Sequence, residues 1–250
     1  MPGRRRVVLI TGASRGIGRA TALAAASEGM DVALVARRDL QALAAVADAA
    51  RARGVRATWL LADVGQLVDI EKIATHVAQA YGRLDALVNN AGVATRRSVT
   101  DVSVAEWQDT LAVNLTGPFF LVRACLPLLR KGDDPAVVNV ASIAGRIGGR
   151  VGPHYAASKG GLIALTRYLA LHLRADGIRV NCVAPDLTAT EMPRQLGLVP
   201  PADSAGTPVC LGRPEDVAQV IVFLCRPGNR FLNGECIHLT GGRQYYGEVP

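Results

Sequence analysis

The 250-residue sequence predicts an α/β fold in which an open, parallel, doubly wound sheet of about seven strands carries helices on both faces. Strand-like and helical segments alternate along the whole chain. Most strand-like segments are short, continuous apolar runs, which are typical of strands covered by helices on both faces. No linker or internal repeat interrupts this alternation, so residues 1–250 are expected to form one domain.

The order of the elements follows from the apolar patterns and from the glycines between them. Strands are predicted at residues 7–11, 31–37, 56–63, 84–89, 136–141, 178–185 and 235–239. Helices are predicted from the first glycines to about residue 28 and at residues 39–53, 67–81, 104–130, 154–175 and 215–225. Ligands of such sheets bind beyond the carboxyl ends of the strands, so the residues that follow each strand are the candidates for function.

The composition argues against several classes of protein. The net charge is +7, but no nucleic-acid-binding motif accompanies it, and only three of the 28 basic residues are lysine. No apolar stretch reaches the ~20 residues that cross a bilayer, and the run at residues 7–10 is too short for the core of a signal peptide. We therefore expect a cytoplasmic protein that binds neither nucleic acid nor a membrane. The five cysteines show no metal-binding or redox spacing, so no metal site is predicted.

A glycine-rich turn follows the first strand and opens the first helix. It reads Gly12-Ala13-Ser14-Arg15-Gly16-Ile17-Gly18. Glycines allow a tight turn and a close approach to a pyrophosphate, and the start of the helix presents backbone N–H groups to it. The alternative is a turn without a ligand, but its place between strand and helix favours a dinucleotide site. Gly12, Ser14, Arg15, Gly16, Ile17 and Gly18 are therefore predicted to bind the cofactor.

Further motifs appear in order, each at the expected strand or helix. They are Asp63-Val64, Asn89-Asn90-Ala91-Gly92, Asn114, Ser142, Tyr155-x-x-x-Lys159 and Asn181-x-Val183-Ala184-Pro185. With the G-x-x-x-G-x-G spacing of the first turn, they make the chain resemble a short-chain dehydrogenase/reductase over essentially its whole length. The resemblance implies a Rossmann-type fold, a nicotinamide cofactor and the transfer of hydride to or from a carbon–oxygen bond. Among the members of that family, the sequence looks most similar to the 3-oxoacyl-acyl-carrier-protein reductases.

The exit of the second strand predicts which nicotinamide cofactor is used. NAD enzymes usually carry an acid at this place to bind the ribose 2′-hydroxyl, whereas this chain has Ala36 followed by Arg37 and Arg38. A guanidinium can pair with a 2′-phosphate through two charge-assisted hydrogen bonds. Arg15 is the second basic residue that NADP-preferring family members tend to show. NADP(H) is therefore predicted; the alternative is that these arginines are only solvated.

The resemblance assigns further cofactor contacts. Asp63 would bond the adenine amino group, with Val64 beside it, and Asn90, Ala91 and Gly92 would lie against the ribose, whereas Asn89 is expected only to support the sheet. Remaining contacts are assigned to Pro185, Thr188, Thr190, Tyr155 and Lys159. Asp186 and Thr188 depart from the family pattern of a glycine and an aliphatic residue, which puts the local backbone after the sixth strand in question.

The catalytic group is predicted from the helix at residues 154–175. Tyr155 and Lys159 are four residues apart and so share one face of the helix. The lysine ammonium is expected to lower the pKa of the phenol, which makes Tyr155 the acid/base. Ser142 would donate a hydrogen bond to the substrate oxygen. The resemblance implies that Asn114 distorts its helix and holds a water in a proton relay to Lys159; His154 is expected to be at most a wall of the pocket.

The substrate is left open by the sequence. A segment at about residues 188–209 is expected to act as a lid over a small or medium-sized ketone or secondary alcohol. Arg96, Arg97, Arg146 and Arg150 are expected near the pocket mouth, where they could favour an acidic substrate or simply be solvated. An alternative is a 3-oxoacyl-acyl-carrier-protein reductase, although Asp176 stands where members of that group commonly carry an arginine that docks the carrier. A remote alternative is a catalytically silent protein that senses NADP.

The family resemblance also implies a homotetramer, with a dimer as the alternative. The helices at residues 104–130 and 154–175 are expected to pair with their copies in a second subunit. Apolar residues of the second of these helices, such as Leu162, Leu165 and Leu169, are expected to contribute to that contact.

Overall fold

The computed structural model describes residues 4–198 and 211–242. Seven parallel strands form one sheet, with every neighbouring pair of strands parallel. The strands are β1 (Val7–Thr11), β2 (Asp31–Ala36), β3 (Ala57–Leu61), β4 (Ala86–Asn89), β5 (Ala136–Val140), β6 (Arg179–Pro185) and β7 (Cys236–Leu239). The predicted α/β fold is confirmed, and each predicted strand is present with ends that differ by at most a few residues.

The predicted helices are present as well. They are α1 (Gly16–Ser27), α2 (Leu40–Arg51), α3 (Leu67–Tyr81), α4 (Val104–Leu111), α5 (Gly117–Leu129), α7 (Pro153–His172) and α9 (Pro214–Cys225). Two short helices, α6 (Ala144–Ile147) and α8 (Glu191–Gln195), and a 3₁₀ turn at Arg174–Asp176 were not predicted. The helix predicted at residues 104–130 is divided into α4 and α5 by a π-helical segment, Ala112–Thr116.

The strand order β3-β2-β1-β4-β5-β6-β7 places β1 in the middle of the sheet, between β2 and β4. The chain runs outward in one direction from β1 to β3 and then returns to add β4 to β7 on the other side. At such a reversal the loops after the two central strands diverge to opposite faces and leave a crevice at the carboxyl ends. The crevice therefore lies beside the glycine turn that follows β1.

Helices cover both faces of the sheet. The helices α1, α2 and α9 pack on one face, where residues such as Leu43 and Ile221 join the larger apolar core. The helices α3, α5 and α7 pack on the other face, where Leu121 and Leu169 are buried with the alternate side chains of the same strands. This double coverage explains why residues of β1 and β2 are buried on both faces.

The stretch Val104–Leu129 is long and apolar enough, by length and composition alone, to span a membrane. Its best 18-residue window has a mean hydropathy of 1.5, contrary to the expectation that no apolar stretch is long enough. Side chains of this stretch, such as Leu121, Val122 and Cys125, are buried against the sheet. A core helix of a globular domain has the same composition, and its packing accounts for the hydropathy here.

A buried carboxylate connects three segments at the amino ends of the strands. Asp85 is fully buried and accepts hydrogen bonds from the backbone N–H groups of Val7 and Asp133, each at 2.7 Å. Its carboxylate also lies 3.3 Å from the guanidinium of Arg83, which is itself buried. These contacts fix the start of β1 against the start of β4 at the end of the sheet that is remote from the crevice.

We expect Asp85→Ala to lower the free energy of unfolding by about 3–5 kcal/mol, because it leaves the buried Arg83 without its counter-ion and the buried N–H of Val7 without its acceptor. The measurement is urea denaturation at fixed protein concentration. Asp48→Ala is the matched control: Asp48 pairs with Arg51 on the surface, with 72% of its side chain exposed, and its loss should cost less than about 0.5 kcal/mol. Equal effects of the two substitutions would contradict this assignment.

Candidate active site

The crevice contains a cavity of about 450 Å³ at the carboxyl ends of the strands. Most of the predicted cofactor and catalytic residues line it. They are Gly12, Ser14, Arg15, Gly16, Ile17, Arg37, Arg38, Asp63, Val64, Asn90, Ala91, Gly92, Ser142, Tyr155, Lys159, Pro185, Thr188 and Thr190. The loops after β1 to β6 thus meet in one place, as the strand order requires.

The glycine turn after β1 lies against the loop after β4. Gly12 has φ +64°, and a Cβ added there would stand 2.9 Å from the Cα of Ala91, so only glycine fits this position. Gly18 was predicted to bind the cofactor; it is buried and does not line the cavity, and its cofactor contact stays a prediction. A Cβ on Gly18 would stand 2.2 Å from the carbonyl oxygen of Gly12, so its role is to let α1 pack tightly on the turn.

The rim beside β2 carries the two predicted arginines. Ala36 ends β2, is buried and lines the cavity, so no carboxylate lies at the end of the strand. Arg37 and Arg38 are exposed and line the same rim. The Nη1 atom of Arg37 lies 3.5 Å from Oδ2 of Asp63, a long contact between partly exposed groups. The other Asp63 oxygen accepts a hydrogen bond from the backbone N–H of Gly65 at 2.9 Å, which holds the carboxylate in place.

The loop after β4 is tied to the glycine turn by Asn90. Its Nδ2 donates to the carbonyl oxygens of Thr11 at 2.8 Å and Gly12 at 3.2 Å. Asn90 also lines the cavity, so its predicted contact with the cofactor stays a prediction; its amide hydrogens are used to hold the glycine turn. Asn89 supports the sheet, as predicted: it is buried and donates to Oδ1 of Asn139 at 2.9 Å.

Asn114 lies in the π-helical segment between α4 and α5 and is fully buried. Its Oδ1 accepts from the backbone N–H of Val93 at 2.8 Å, and its Nδ2 donates to the Val93 carbonyl at 2.9 Å and to Oγ of Ser158 at 3.1 Å. The predicted distortion of the helix is confirmed, because a π-bulge places an extra residue in one turn. A Cβ on Gly92 would stand 3.3 Å from Asn114 Oδ1 and 3.5 Å from Lys159 Nζ, so both atoms face the same small space.

Tyr155 and Lys159 lie one turn apart on α7 and face the carboxyl end of β5. Both are buried, with 9% and 4% of their surface exposed. The Nζ of Lys159 donates to the carbonyl oxygen of Val140, the last residue of β5, at 2.8 Å. It also lies 5.8 Å from the centre of the Tyr155 ring. Ser142 follows β5 and is hydrogen-bonded with the Tyr155 side chain.

The predicted lowering of the Tyr155 pKa is wrong for this structure. Burial raises the pKa of the phenol, and the hydrogen bond with Ser142 opposes that rise only in part. Burial also lowers the pKa of Lys159 to about 8. Removal from water disfavours the charged form of both groups and is the main cause of both pKa shifts. At neutral pH the site therefore holds a protonated phenol beside a mainly protonated lysine.

His154 does not line the cavity, so it is not a pocket wall. It is fully buried, and its Nε2 is hydrogen-bonded with Oγ1 of Thr95 at 3.0 Å. Burial lowers the pKa of its imidazole, which keeps the ring neutral at pH 7. The residue next to Tyr155 in the chain thus fastens the loop after β4 to the start of α7.

The segment after β6 closes the cavity on the side of the glycine turn. Thr188 is buried and forms an isolated parallel bridge with Gly212, so its departure from the family pattern is accommodated by backbone pairing. Thr190 lies close to the glycine turn, since a Cβ on Gly16 would stand 3.3 Å from its Cγ2. Arg15 forms an ion pair with Glu191 at 2.5 Å. Residues 199–209 of the predicted lid lie outside the described residues.

Several lining residues were not predicted. They are Val35, Ala36, Asp39, Ala62, Val93, Val113, Val140, Ala141, Asp186, Glu191, Met192 and Pro193. Most are apolar and carry no chemical signal in the sequence. Asp39 is charged, but its left-handed backbone (φ +67°) and its capping of α2, in which it accepts the N–H of Ala42 at 3.0 Å, are properties of the folded loop. Within residues 4–198 and 211–242, no group of three His, Cys, Asp or Glu side chains could hold a metal ion.

Comparisons with known proteins agree with this geometry. A family model described as "Enoyl-(Acyl carrier protein) reductase" matches residues 12–244. A 3-oxoacyl-[acyl-carrier-protein] reductase of Synechocystis is 34% identical over 95% of this chain and 96% of its own length. A meso-2,3-butanediol dehydrogenase of Serratia marcescens is 36% identical over 95% of this chain and 94% of its own. The (2S)-[(R)-hydroxy(phenyl)methyl]succinyl-CoA dehydrogenase subunit BbsD of Thauera aromatica is 35% identical over 97% and 98%.

Solved structures have the same fold. A short-chain dehydrogenase from Burkholderia cenocepacia in complex with NADP superposes with a TM-score of 0.85 at 33% identity, covering 95% of this chain and 96% of that one. Levodione reductase superposes with a TM-score of 0.88 at 30% identity, covering 98% and 100%. From the fold, the cavity at the sheet reversal and these matches, it follows that the chain belongs to the short-chain dehydrogenase/reductase family.

Proposed function

We propose that the protein is an NADP(H)-dependent oxidoreductase that reduces a ketone of a small or medium-sized substrate, or oxidises the corresponding secondary alcohol, with Tyr155 as the acid/base. One observation carries the proposal. Tyr155, Lys159 and Ser142 come from two elements and line one cavity that also contains the glycine turn. A family fold alone would permit a catalytically silent protein, but such a protein has no need of this intact set.

The residues of the cavity fit a nicotinamide cofactor. Gly12, Ser14 and Gly16 of the glycine turn line the cavity, so the turn is accessible to a pyrophosphate. The cavity continues from this turn to Arg37 and Arg38 at one end and to Tyr155 at the other. When bound, such a cofactor supplies the hydride, while the protein supplies position and electrostatics.

The chain's own groups handle the proton. In the reductive direction Tyr155 donates its phenolic proton to the substrate oxygen, which gains negative charge as the carbonyl carbon is reduced. A phenol with a raised pKa is still far more acidic than the alcohol that is formed, so this donation is favourable. Ser142 hydrogen-bonds to the same oxygen and stabilises the developing charge.

Lys159 replaces the proton that Tyr155 gives up, and its ammonium would also hydrogen-bond the ribose hydroxyls of a bound nicotinamide cofactor. Its Nζ and Asn114 Oδ1 face one space beside Gly92, and a single water there would connect the lysine to the buried amide. The π-helical segment supports this role, because it turns the Asn114 side chain towards Val93 and Ser158 rather than along the helix.

A second candidate function is the reduction of 3-oxoacyl thioesters on an acyl carrier. Curated relatives with that name, from Synechocystis and Staphylococcus aureus, favour it. Against it, Asp176 stands where a carrier-docking arginine is expected. Its two carboxylate oxygens accept hydrogen bonds from Nε and Nη2 of Arg130, each at 3.0 Å. A small-molecule substrate therefore stays our first choice.

The homotetramer and the cytoplasmic location remain predictions. The residues expected at the subunit contact change, because Leu162 and Leu169 are buried within the chain itself. The exposed apolar residues of α7 are instead Tyr168 at 57% and Leu171 at 68%. These two side chains support a partner surface on the same helix, turned away from the sheet.

We expect Tyr155→Phe to lower kcat/KM for NADPH-dependent ketone reduction by about 10²–10⁴-fold, because it removes the proton donor while keeping the ring. The assay follows NADPH oxidation with a panel of ketones, diketones and acyl thioesters, and NADPH binding is checked by fluorescence. Tyr168→Phe, an exposed position on the same helix, is the control and should leave kcat unchanged. Turnover in Tyr155→Phe within tenfold of the parent protein would refute the mechanism.

We expect the double substitution Arg37→Ala/Arg38→Ala to lower kcat/KM for NADPH by about 10–100-fold and to leave that for NADH unchanged, because it removes the charge-assisted hydrogen bonds to the 2′-phosphate. Steady-state kinetics with both cofactors measure the effect. Arg174→Ala, an exposed arginine just before β6 and at the opposite end of the strands, should change neither value. Equal use of both cofactors by the parent protein, unaltered by the substitutions, would overturn the assignment.

We expect kcat/KM for ketone reduction to fall as the pH rises through about 8, because burial lowers the pKa of Lys159 to about 8 and its ammonium is the form that serves the reaction. Tyr155 stays protonated over the same range, since burial raises its pKa. Kinetics between pH 6 and 10 should show one basic limb with a tenfold loss per pH unit. A profile that is flat to pH 10 would mean that Lys159 is not titrating.

A further inference from the structure

We infer that Arg96 forms an anion-binding subsite at the outer end of the substrate pocket, so that the preferred substrates carry a carboxylate or phosphate group remote from the reacting carbonyl. The inference rests on the proposed function, because it concerns what Tyr155 reduces. It adds a recognition residue and a substrate class to that function.

One side of Tyr155 packs in an apolar cluster. Ala144, Val151 and Tyr155 are its buried members. Ala94 of the loop after β4 and Leu196 and Leu198 of the segment after α8 pack against them. A substrate that extends from Tyr155 past this cluster would contact aliphatic side chains.

A charged cavity adjoins this apolar cluster. It is lined by Arg96, Arg97, Ser98, Asp101, Glu106 and Arg150. Arg150 precedes Val151 of the apolar cluster in the chain, and Arg96 lies two residues after Ala94. The two segments lie side by side, since the backbone N–H of Arg97 donates to the carbonyl of Val151 at 2.9 Å. The charged cavity therefore lies next to the apolar cluster.

Three arginines and two carboxylates line this second cavity. Arg97 is paired with Glu106 at 2.6 Å, and Asp101 accepts hydrogen bonds from Ser98 at 2.6 Å and Thr100 at 3.2 Å. Arg96 is exposed and has no acid partner among the described residues.

The Arg96 guanidinium reaches across the pocket mouth. A Cβ on Gly197, in the segment after α8, would stand 3.9 Å from its Nη1 atom. Its backbone is fixed on both sides: Thr95 is hydrogen-bonded to buried His154 at 3.0 Å, and Arg97 to Val151. His154 precedes Tyr155 on α7, so the position of Arg96 is set relative to the proton donor.

A guanidinium beside an apolar cluster is suited to a carboxylate or a phosphate, which it can bind through two parallel hydrogen bonds. The backbone position of Arg96 limits how far from the reacting carbonyl such an anion can lie. Substrates with the anion at that distance gain binding energy, while neutral analogues of equal length do not.

The test compares two sets of ketones with the parent protein and NADPH. The first set is the ω-1 keto acids from 4-oxopentanoate to 8-oxononanoate, each against its methyl ester. The second is acetoacetyl-CoA against acetoacetyl-pantetheine, which lacks the phosphates. We expect kcat/KM to favour one anionic substrate over its neutral partner by about 10–100-fold, mainly through KM, and this preference to weaken in 0.5 M NaCl. A preference within the first set identifies a carboxylate, and one confined to the second set a phosphate.

Arg96→Gln should abolish that preference by raising KM for the anionic member only, and Arg96→Lys should retain part of it. Arg174→Gln is the matched control and should retain all of it. Equal efficiency for anionic and neutral members in the parent protein, or a preference that survives in Arg96→Gln, would overturn the inference while leaving the oxidoreductase activity intact. Absence of turnover with every ketone, neutral ones included, would instead refute the proposed function.

Discussion

The chemistry of this site depends on the burial of two ionisable side chains beside each other. Tyr155 and Lys159 are both nearly excluded from water, and each loses the solvation that would favour its charged form. The lysine is stabilised by the carbonyl of Val140, whereas the phenol has Ser142 as its polar partner. The result is a neutral acid next to a cation that titrates near physiological pH, which is a suitable pair for delivering one proton and then replacing it.

The parallel sheet makes this pairing possible. Because the strands all run in the same direction, the end of β5 and the start of α7 come together at the crevice that also contains the glycine turn. Side chains then hold the loops of the crevice: Asn90 joins the β4 exit to Gly12, and Asn114 joins the π-helical segment to Val93. Asn114 is buried, and the amide groups of both residues donate to backbone carbonyls, so they contribute to the rigidity that hydride transfer requires.

Much of the fold was predictable from local patterns. Apolar runs and glycines gave the strand positions, and the spacing of Tyr155 and Lys159 indicated a shared helix face. The packing role of Gly18 was not predictable. In the folded turn the carbonyl oxygen of Gly12 would stand 2.2 Å from a Cβ at position 18, and the sequence alone does not show this approach. The burial of Leu162 and Leu169 within the chain likewise depends on which face of α7 meets the sheet.

The largest error concerned the direction of the Tyr155 pKa shift and not the position of any residue. The sequence correctly placed an ammonium near a phenol, but it carries no measure of how deeply the two are buried, and burial decides the sign of the Tyr155 pKa shift. Asp39 illustrates the same limit, since its left-handed backbone and its capping of α2 arise only once the loop after β2 has closed on the cavity. Positions that follow from periodicity were predictable, whereas properties that follow from solvent exclusion were not.

The central claim is that solvent exclusion keeps Tyr155 protonated, so that it acts as a proton donor. The most direct measurement is a ¹³C NMR titration of protein labelled at the tyrosine ζ-carbon, with the Tyr155 signal assigned from the spectrum of Tyr155→Phe. The account predicts that this signal stays at the chemical shift of a phenol from pH 6 to pH 9. A phenolate signal at pH 7 would contradict it, because the lysine ammonium would then dominate over burial.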